Sequence, residues 1–159
     1  MSARLRAAVP ADTQAVLALW GTAATPTSTD TATALRALIE HDPGALIVAD
    51  EVGEIVGTVV AGWDGWRGSV YRLAVAPSRR RQGLGARLLR AAEDRLAGCG
   101  ARRVHAVVVG ADDRAVAFWE ATDWTHERGQ RRYTKSVVPT TPGAAGRAGG
   151  ADGSDRAGA

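Results

Sequence analysis

Leu73-Ala74-Val75-Ala76-Pro77-Ser78-Arg79-Arg80-Arg81-Gln82-Gly83-Leu84-Gly85-Ala86-Arg87-Leu88-Leu89 decides how this 159-residue chain is read. Its first residues continue Tyr71-Arg72 as a strand that stops at Pro77. Beyond the glycines, Leu84, Leu88, Leu89, Ala92 and Leu96 recur at helical spacing until Gly98 and Gly100 close the helix. A strand therefore passes through an arginine- and glycine-bearing turn directly into a helix. At such a junction the first backbone N–H groups of the helix lack partners, and the positive end of its dipole points the same way. The stretch predicts an anion site: Gly83 and Gly85 let an oxygen approach the backbone, and Arg80, Arg81 and Arg87 add charge-assisted hydrogen bonds. Two phosphate signatures are excluded. No Gly-x-x-x-x-Gly-Lys-Ser/Thr occurs, and Gly83-Leu84-Gly85 continues as Ala86-Arg87-Leu88 instead of completing a dinucleotide fingerprint.

Outward from that stretch, strands and helices alternate. Residues 4–8 predict a short strand, and Pro10 with Asp12 opens a helix whose apolar face is Val16, Leu17, Leu19 and Trp20. Residues 21–30, rich in Thr and Pro, read as a loop before a second helix marked by Ala34, Leu35, Leu38 and Ile39. Residues 45–49 and 55–61 form two apolar runs around Asp50-Glu51-Val52-Gly53, a hairpin pattern. After the central helix, residues 104–109 predict a buried strand, residues 114–122 a short helix, and residues 131–137 a last strand. This order implies a mixed α+β fold in three layers.

The whole-chain properties set limits. The length suits one core, the 45% apolar and 23% charged content is ordinary for a soluble protein, and no run approaches a membrane span. Met1-Ser2-Ala3-Arg4 lacks the apolar segment of a secretory signal, and the lone Cys99 has no internal partner, so a cytoplasmic protein is expected. The net charge of +3 comes from arginine, with Lys135 the sole lysine. A surplus that small argues against nucleic acid as the partner, although Arg79-Arg80-Arg81 keeps that reading as a rival. Residues 139–159 hold no large apolar side chain and are read as a disordered tail following a domain of residues 1–138.

With its motifs in place, the sequence resembles the GNAT superfamily, the Gcn5-related N-acetyltransferases. Arg80-Arg81-Gln82-Gly83-Leu84-Gly85 matches that family's pyrophosphate motif, Arg/Gln-x-x-Gly-x-Gly/Ala, with the strand ending Leu73-Ala74-Val75-Ala76-Pro77 at the usual distance before it. Ala115-Val116-Ala117-Phe118-Trp119-Glu120-Ala121-Thr122-Asp123-Trp124 is similar to the second motif, Ala-x-x-Phe-Tyr-x-x-x-Gly-Phe. The resemblance implies a bent sheet splayed between its fourth and fifth strands, here residues 71–75 and 104–109, with about four helices. It implies acetyl-CoA as co-substrate in the cleft, held by Leu73, Ala74 and Val75 along the pantetheine, by Arg80, Arg81, Gln82, Gly83, Leu84, Gly85 and Ala86 at the pyrophosphate, and by Asp112 and Trp119. A backbone N–H of the strand would polarise the thioester carbonyl while an amine attacks it.

Three positions depart from the family pattern. Trp119 stands where many members have the tyrosine that protonates the leaving thiolate, and an indole N–H cannot act as that acid. Asp112 replaces a common asparagine, and Asp123-Trp124 replaces Gly-Phe. The catalytic acid and base therefore stay unassigned, and a non-catalytic acyl-CoA-binding domain is the first alternative. His105 reads as a packed or edge residue, Cys99 as inert, and Asp64, Glu51 and Glu54 as turn or surface residues; no His, Cys and carboxylate spacing implies a metal. Trp63-Asp64-Gly65-Trp66 is a turn whose tryptophans are candidates to meet the acceptor or a partner subunit. The amine acceptor depends on residues 21–30, 63–68 and those after Thr125. A homodimer stays open.

Overall fold

The computed structural model describes residues 2–139. Strand β1 (Arg4–Ala7) leads through a short 3-10 turn into α1 (Thr13–Ala23), and α2 (Ala32–His41) follows. Asp12 accepts the Val9 N–H at 2.8 Å, which places a carboxylate at the start of α1. Thr31 caps α2 by accepting the Ala34 N–H at 3.2 Å. The remaining elements are β2 (Leu46–Glu51), β3 (Glu54–Trp63), β4 (Gly68–Val75), α3 (Leu84–Gly98), β5 (Val104–Ala106) and α4 (Asp113–Glu120).

The five strands lie in the order β1-β2-β3-β4-β5. The first three pairings are antiparallel, and β4 pairs with β5 in parallel. A parallel neighbour requires a crossover, which α3 provides. One sheet face carries α1 and α2, whose Val16, Leu19, Trp20, Leu35 and Ile39 form a core with Leu46, Val48, Val60 and Ala74. The other carries α3. A Cβ added at Gly57 would come within 2.8 Å of Leu88 Cδ1, and one at Gly68 within 3.1 Å of Leu96 Cδ1, so these glycines let the helix rest directly on the strands. The arrangement is the three-layer α+β sandwich expected from the order of elements.

Charge closes the edge at β1. Arg6 donates to both oxygens of Asp12, at 2.7 and 2.9 Å, and to Asp50 from Nη2 at 2.9 Å. The bond from Arg6, with the Val9 N–H adding to it against burial, holds the Asp12 carboxyl below its ordinary value of 3.8. A depressed carboxyl contributes stability above its unfolded pKa and loses that contribution as pH falls through the folded one. Asp12→Asn should therefore lower the melting temperature by roughly 2–4 °C at pH 7, with the difference from wild type shrinking as pH falls past 3.8 and vanishing only below the lowered folded pKa, which melting curves across that range would read.

Several boundaries differ from expectation. Helix α1 continues to Ala23 instead of yielding to a loop at Gly21. Strand β5 is three residues long, not six, and Val107 and Val109 are about half exposed; among the described residues it is an edge strand with one neighbour and no second ladder to bury them. The strand expected over residues 131–137 does not form, and Tyr133 and Val137 are exposed at 87% and 79%. That segment has no ladder partner among the described residues, and a lone extended segment leaves its N–H and C=O groups to water. By contacts the chain divides into a unit ending at Phe118, which contains the whole sheet, and a unit beginning at Trp119. In the second unit Trp119 and Trp124 pack edge to face, with ring centroids 4.8 Å apart. The tail expected over residues 139–159 lies, apart from Pro139, outside the described residues. No helix among the described residues is long and apolar enough to cross a membrane.

Candidate functional site

The turn between β4 and α3 is built from two left-handed residues. A 3-10 turn at Pro77–Arg79 is followed by Arg81 at φ +62° and by Gly83, the residue before the helix, at φ +76°. The Arg87 N–H bonds the Gly83 carbonyl at 3.1 Å, so the N–H groups of Leu84, Gly85 and Ala86 precede the first intrahelical partner. A Cβ at Gly83 would meet nothing within 4 Å. The position is glycine for its backbone angle, and the space beside it is open to an anion. Gly85 has another reason. A Cβ there would lie 3.2 Å from the Phe118 ring, so this glycine makes room for Phe118 of α4.

The arginines of the run divide in the same way. Arg79 Nε pairs with Glu51 at 2.6 Å, and Arg87 reaches Ser2 Oγ at 2.9 Å and the Ala3 carbonyl at 2.8 Å. Arg87, expected at the anion, is thus tied to the N-terminal segment. Arg80 donates from Nε to the Val75 carbonyl at 3.2 Å, which fixes its stem beside the strand end. Arg81 is exposed beside Gly83, and Gln82 donates to the Ser78 carbonyl at 3.3 Å. Arg80 and Arg81 are the cations the fold supplies to the turn.

Directly before this turn β4 lacks a neighbour on one side. Its pairing with β5 ends at Val70 opposite Ala106, and residues 71–75 run on alone among the described residues. The sheet is splayed between its fourth and fifth strands. On the β3 side the register steps from Thr58↔Ala74 to Val60↔Tyr71, so Arg72 and Leu73 together oppose Val59 in a β-bulge. Arg72 sits at φ +51°, and its carbonyl accepts from Thr58 Oγ1 at 2.9 Å. That carbonyl points toward β3. In a trans peptide the next N–H points the opposite way, so the Leu73 N–H is directed into the space β5 has left.

The sheet face carrying α1 and α2 continues past them as an open strip at this level. Ser69 Oγ and His105 Nε2, on cross-strand partners, are 3.1 Å apart. Tyr71, 46% exposed, lies with its ring against Gly62 on the neighbouring strand. The bulge turns Arg72 to the same face, where its guanidinium lies 5.0 Å over the Trp20 ring and bonds the Thr25 carbonyl, Thr27 Oγ1 and Asp30. This anchors residues 25–30, the loop expected to shape an acceptor site. Thr25 also lines an open hollow with Val109, Ala111, Asp112, Asp113 and Arg114.

The other expected residues fall as follows. Asp112 Oδ1 accepts the Ala115 N–H at 3.1 Å and caps α4, a role its asparagine counterpart would share. His105 is an edge residue with an exposed ring. Asp64 accepts the N–H groups of Arg67 at 2.6 Å and Trp66 at 2.8 Å, and these bonds hold its carboxyl below the ordinary range. Trp66 is 72% exposed, with the Arg67 guanidinium 4.1 Å from its ring. Thr58, Arg72 and the Ser69–His105 pair went unmarked in the sequence, because a bulge and a cross-strand register carry no local signature.

Known proteins share the sequence pattern and the fold. The family model described as the acetyltransferase (GNAT) family matches residues 13–124. An acetyltransferase of Pectobacterium atrosepticum is 36% identical over 86 residues, 54% of this chain and 61% of that protein. The chain spans 61% to 66% of the length of the curated relatives it matches. Among solved structures, Ard1 of Thermoplasma volcanium superposes with a TM-score of 0.68 at 22% identity, over 76% of this chain and 80% of that one. The aminoglycoside acetyltransferase AAC(6')-Iy, solved with a bisubstrate analogue containing CoA, gives a TM-score of 0.69 at 15% identity, over 86% of this chain and all of that one. At these identities the structural likeness speaks to the fold, and the family model speaks to kinship: the chain belongs to the acetyltransferase (GNAT) family.

Proposed function

We propose that the protein is an N-acetyltransferase that moves the acetyl group of acetyl-CoA directly to a primary amine of a small molecule or protein. The observation that carries the reading is the alignment of two features along one strand. The N–H groups of Leu84, Gly85 and Ala86, which follow the Arg81–Gly83 turn, suit a pyrophosphate, and before that turn β4 offers an edge unpaired by β5 with the Leu73 N–H pointing outward. Arg80, Arg81, Gln82, Gly83, Leu84, Gly85 and Ala86 would hold the pyrophosphate, and Leu73, Ala74 and Val75 would pair with pantetheine as an added strand. Asp112 and Trp119 complete the set carried over from the family pattern. The bisubstrate analogue in the aminoglycoside acetyltransferase supports a site that takes donor and acceptor together.

In this reading the neutral amine attacks the thioester carbonyl, and the oxyanion that forms takes a hydrogen bond from the Leu73 N–H. Collapse breaks the C–S bond, the thiolate of CoA leaves, and the amine nitrogen gives up a proton. We propose that this proton passes through water to His105, whose ring lies on the open face opposite Ser69, one residue from the end of the β4–β5 pairing. His105→Gln should lower kcat by roughly 10- to 100-fold with acetyl-CoA affinity unchanged. An unaltered kcat would remove His105 from the mechanism.

We further propose a cytoplasmic protein with one folded domain over residues 1–138 and a tail over residues 139–159. The test of the function is release of CoA thiol from acetyl-CoA in the presence of lysine peptides, polyamines, amino acids and aminoglycosides. Amine-dependent release supports the reading. Saturable acetyl-CoA binding with no release from any acceptor, gained on Trp119→Tyr, would favour the non-catalytic alternative.

A further inference from the structure

Arg72 is a non-glycine residue in the left-handed region inside a strand, a conformation that persists only where its surroundings enforce it. Two sets of contacts do so. From inside, Thr58 is fully buried and donates its hydroxyl to the Arg72 carbonyl at 2.9 Å, while the buried Trp20 donates from Nε1 to the same Thr58 oxygen at 2.9 Å. Trp20 uses the hydroxyl's acceptor capacity and leaves its one hydrogen for Arg72. From outside, the Arg72 side chain bonds Thr25, Thr27 and Asp30 and lies over the Trp20 ring. The same indole thus supports the residue at both ends.

The peptide between Arg72 and Leu73 is the one whose N–H faces the splay, so whatever orients its carbonyl also aims that N–H. We propose that Thr58 and Arg72 are positioning residues: the Trp20–Thr58–Arg72 relay holds the bulge peptide so that the Leu73 N–H is preset on the thioester carbonyl. The proposal rests on the acetyltransferase reading above and adds the residues that make its oxyanion donor rigid. A buried threonine serves because it is a β-former that carries both a donor and an acceptor in the volume of valine.

The test uses acetyl-CoA labelled with carbon-13 at the acetyl carbonyl, and isotope-edited infrared spectra of the bound thioester. In the wild type the carbonyl band should move to lower frequency on binding. Thr58→Val, which keeps the volume and removes the hydroxyl, should lose at least about half of that shift and lower kcat roughly 10-fold, with the acetyl-CoA dissociation constant changed less than about 3-fold. Thr58→Ser should restore both. If Thr58→Val does not fold, Thr58→Cys, whose thiol is a weaker donor of similar size, takes its place with an intermediate shift expected. A folded valine or cysteine variant that binds acetyl-CoA with the full wild-type shift overturns the proposal and leaves the acetyltransferase reading standing. A wild type that binds with no carbonyl shift overturns Leu73 as the donor, and one that does not bind acetyl-CoA overturns both readings.

Discussion

Gly83→Trp is expected to weaken acetyl-CoA binding by more than about 100-fold, to the limit of calorimetric detection. Two causes act together. At φ +76° any side chain is strained, by about 1–2 kcal/mol, and the indole would stand over the N–H groups of residues 84–86 where the pyrophosphate is proposed to sit. Because nothing lies within 4 Å of the Cβ position, the bulk projects into open space and the fold should survive with a small loss of melting temperature. An affinity within about 3-fold of the wild type in a folded variant would place the pyrophosphate elsewhere. Gly85→Ala is no substitute as a test, since its Cβ would press on Phe118 and shift a helix.

Leu88→Ala should cost the largest share of stability of any single change considered. Leu88 is fully buried on the sheet side of α3, and its Cδ1 occupies the space that the missing Cβ of Gly57 leaves. Removing it from such a contact leaves a cavity between helix and strand, for which about 2–5 kcal/mol is expected. Urea titration should show a lower midpoint with an unchanged slope. A loss below about 1 kcal/mol would mean that α3 can settle closer to the sheet than the packing at Gly57 allows.

The strand-turn-helix at residues 73–89 was legible because three independent signals meet there: a β-run ended by proline, glycines where helix N–H groups are free, and helical spacing of leucines. The central hairpin and both flanking helices were legible for similar reasons, with errors of one to three residues at their ends. Residues 131–137 were misread because alternation around Tyr133 and Val137 looks like a strand, whereas a strand exists only with a partner, which a local pattern does not specify. The arginine run was legible as a charge and not as contacts. Arg79 and Arg87 are taken up by Glu51 and by the N-terminal segment, partners 28 and more than 80 positions away in sequence. The bulge at Arg72 was hidden for the same reason, since its left-handed backbone is imposed by Thr58 and by residues 25–30.

The glycines show how one motif can hold two functions. Gly83 and Gly85 stand two apart in a pattern usually read as a single phosphate loop. In this fold the first provides the turn and the open approach, and the second provides a seat for Phe118. The motif is therefore also a joint that fixes α4 against the start of α3.

The most direct test of the central claim is a titration of the nitrogen-15-labelled chain with acetyl-CoA, followed by amide chemical shifts. Saturable shifts concentrated at residues 73–75 and 81–86, with Leu73 and Gly83 among the largest, are the expected result. Absence of saturable shifts in the folded chain, or shifts confined to other arginine-bearing surfaces such as Arg102 and Arg103, would contradict the proposed acetyl-CoA site and the acetyltransferase function built on it.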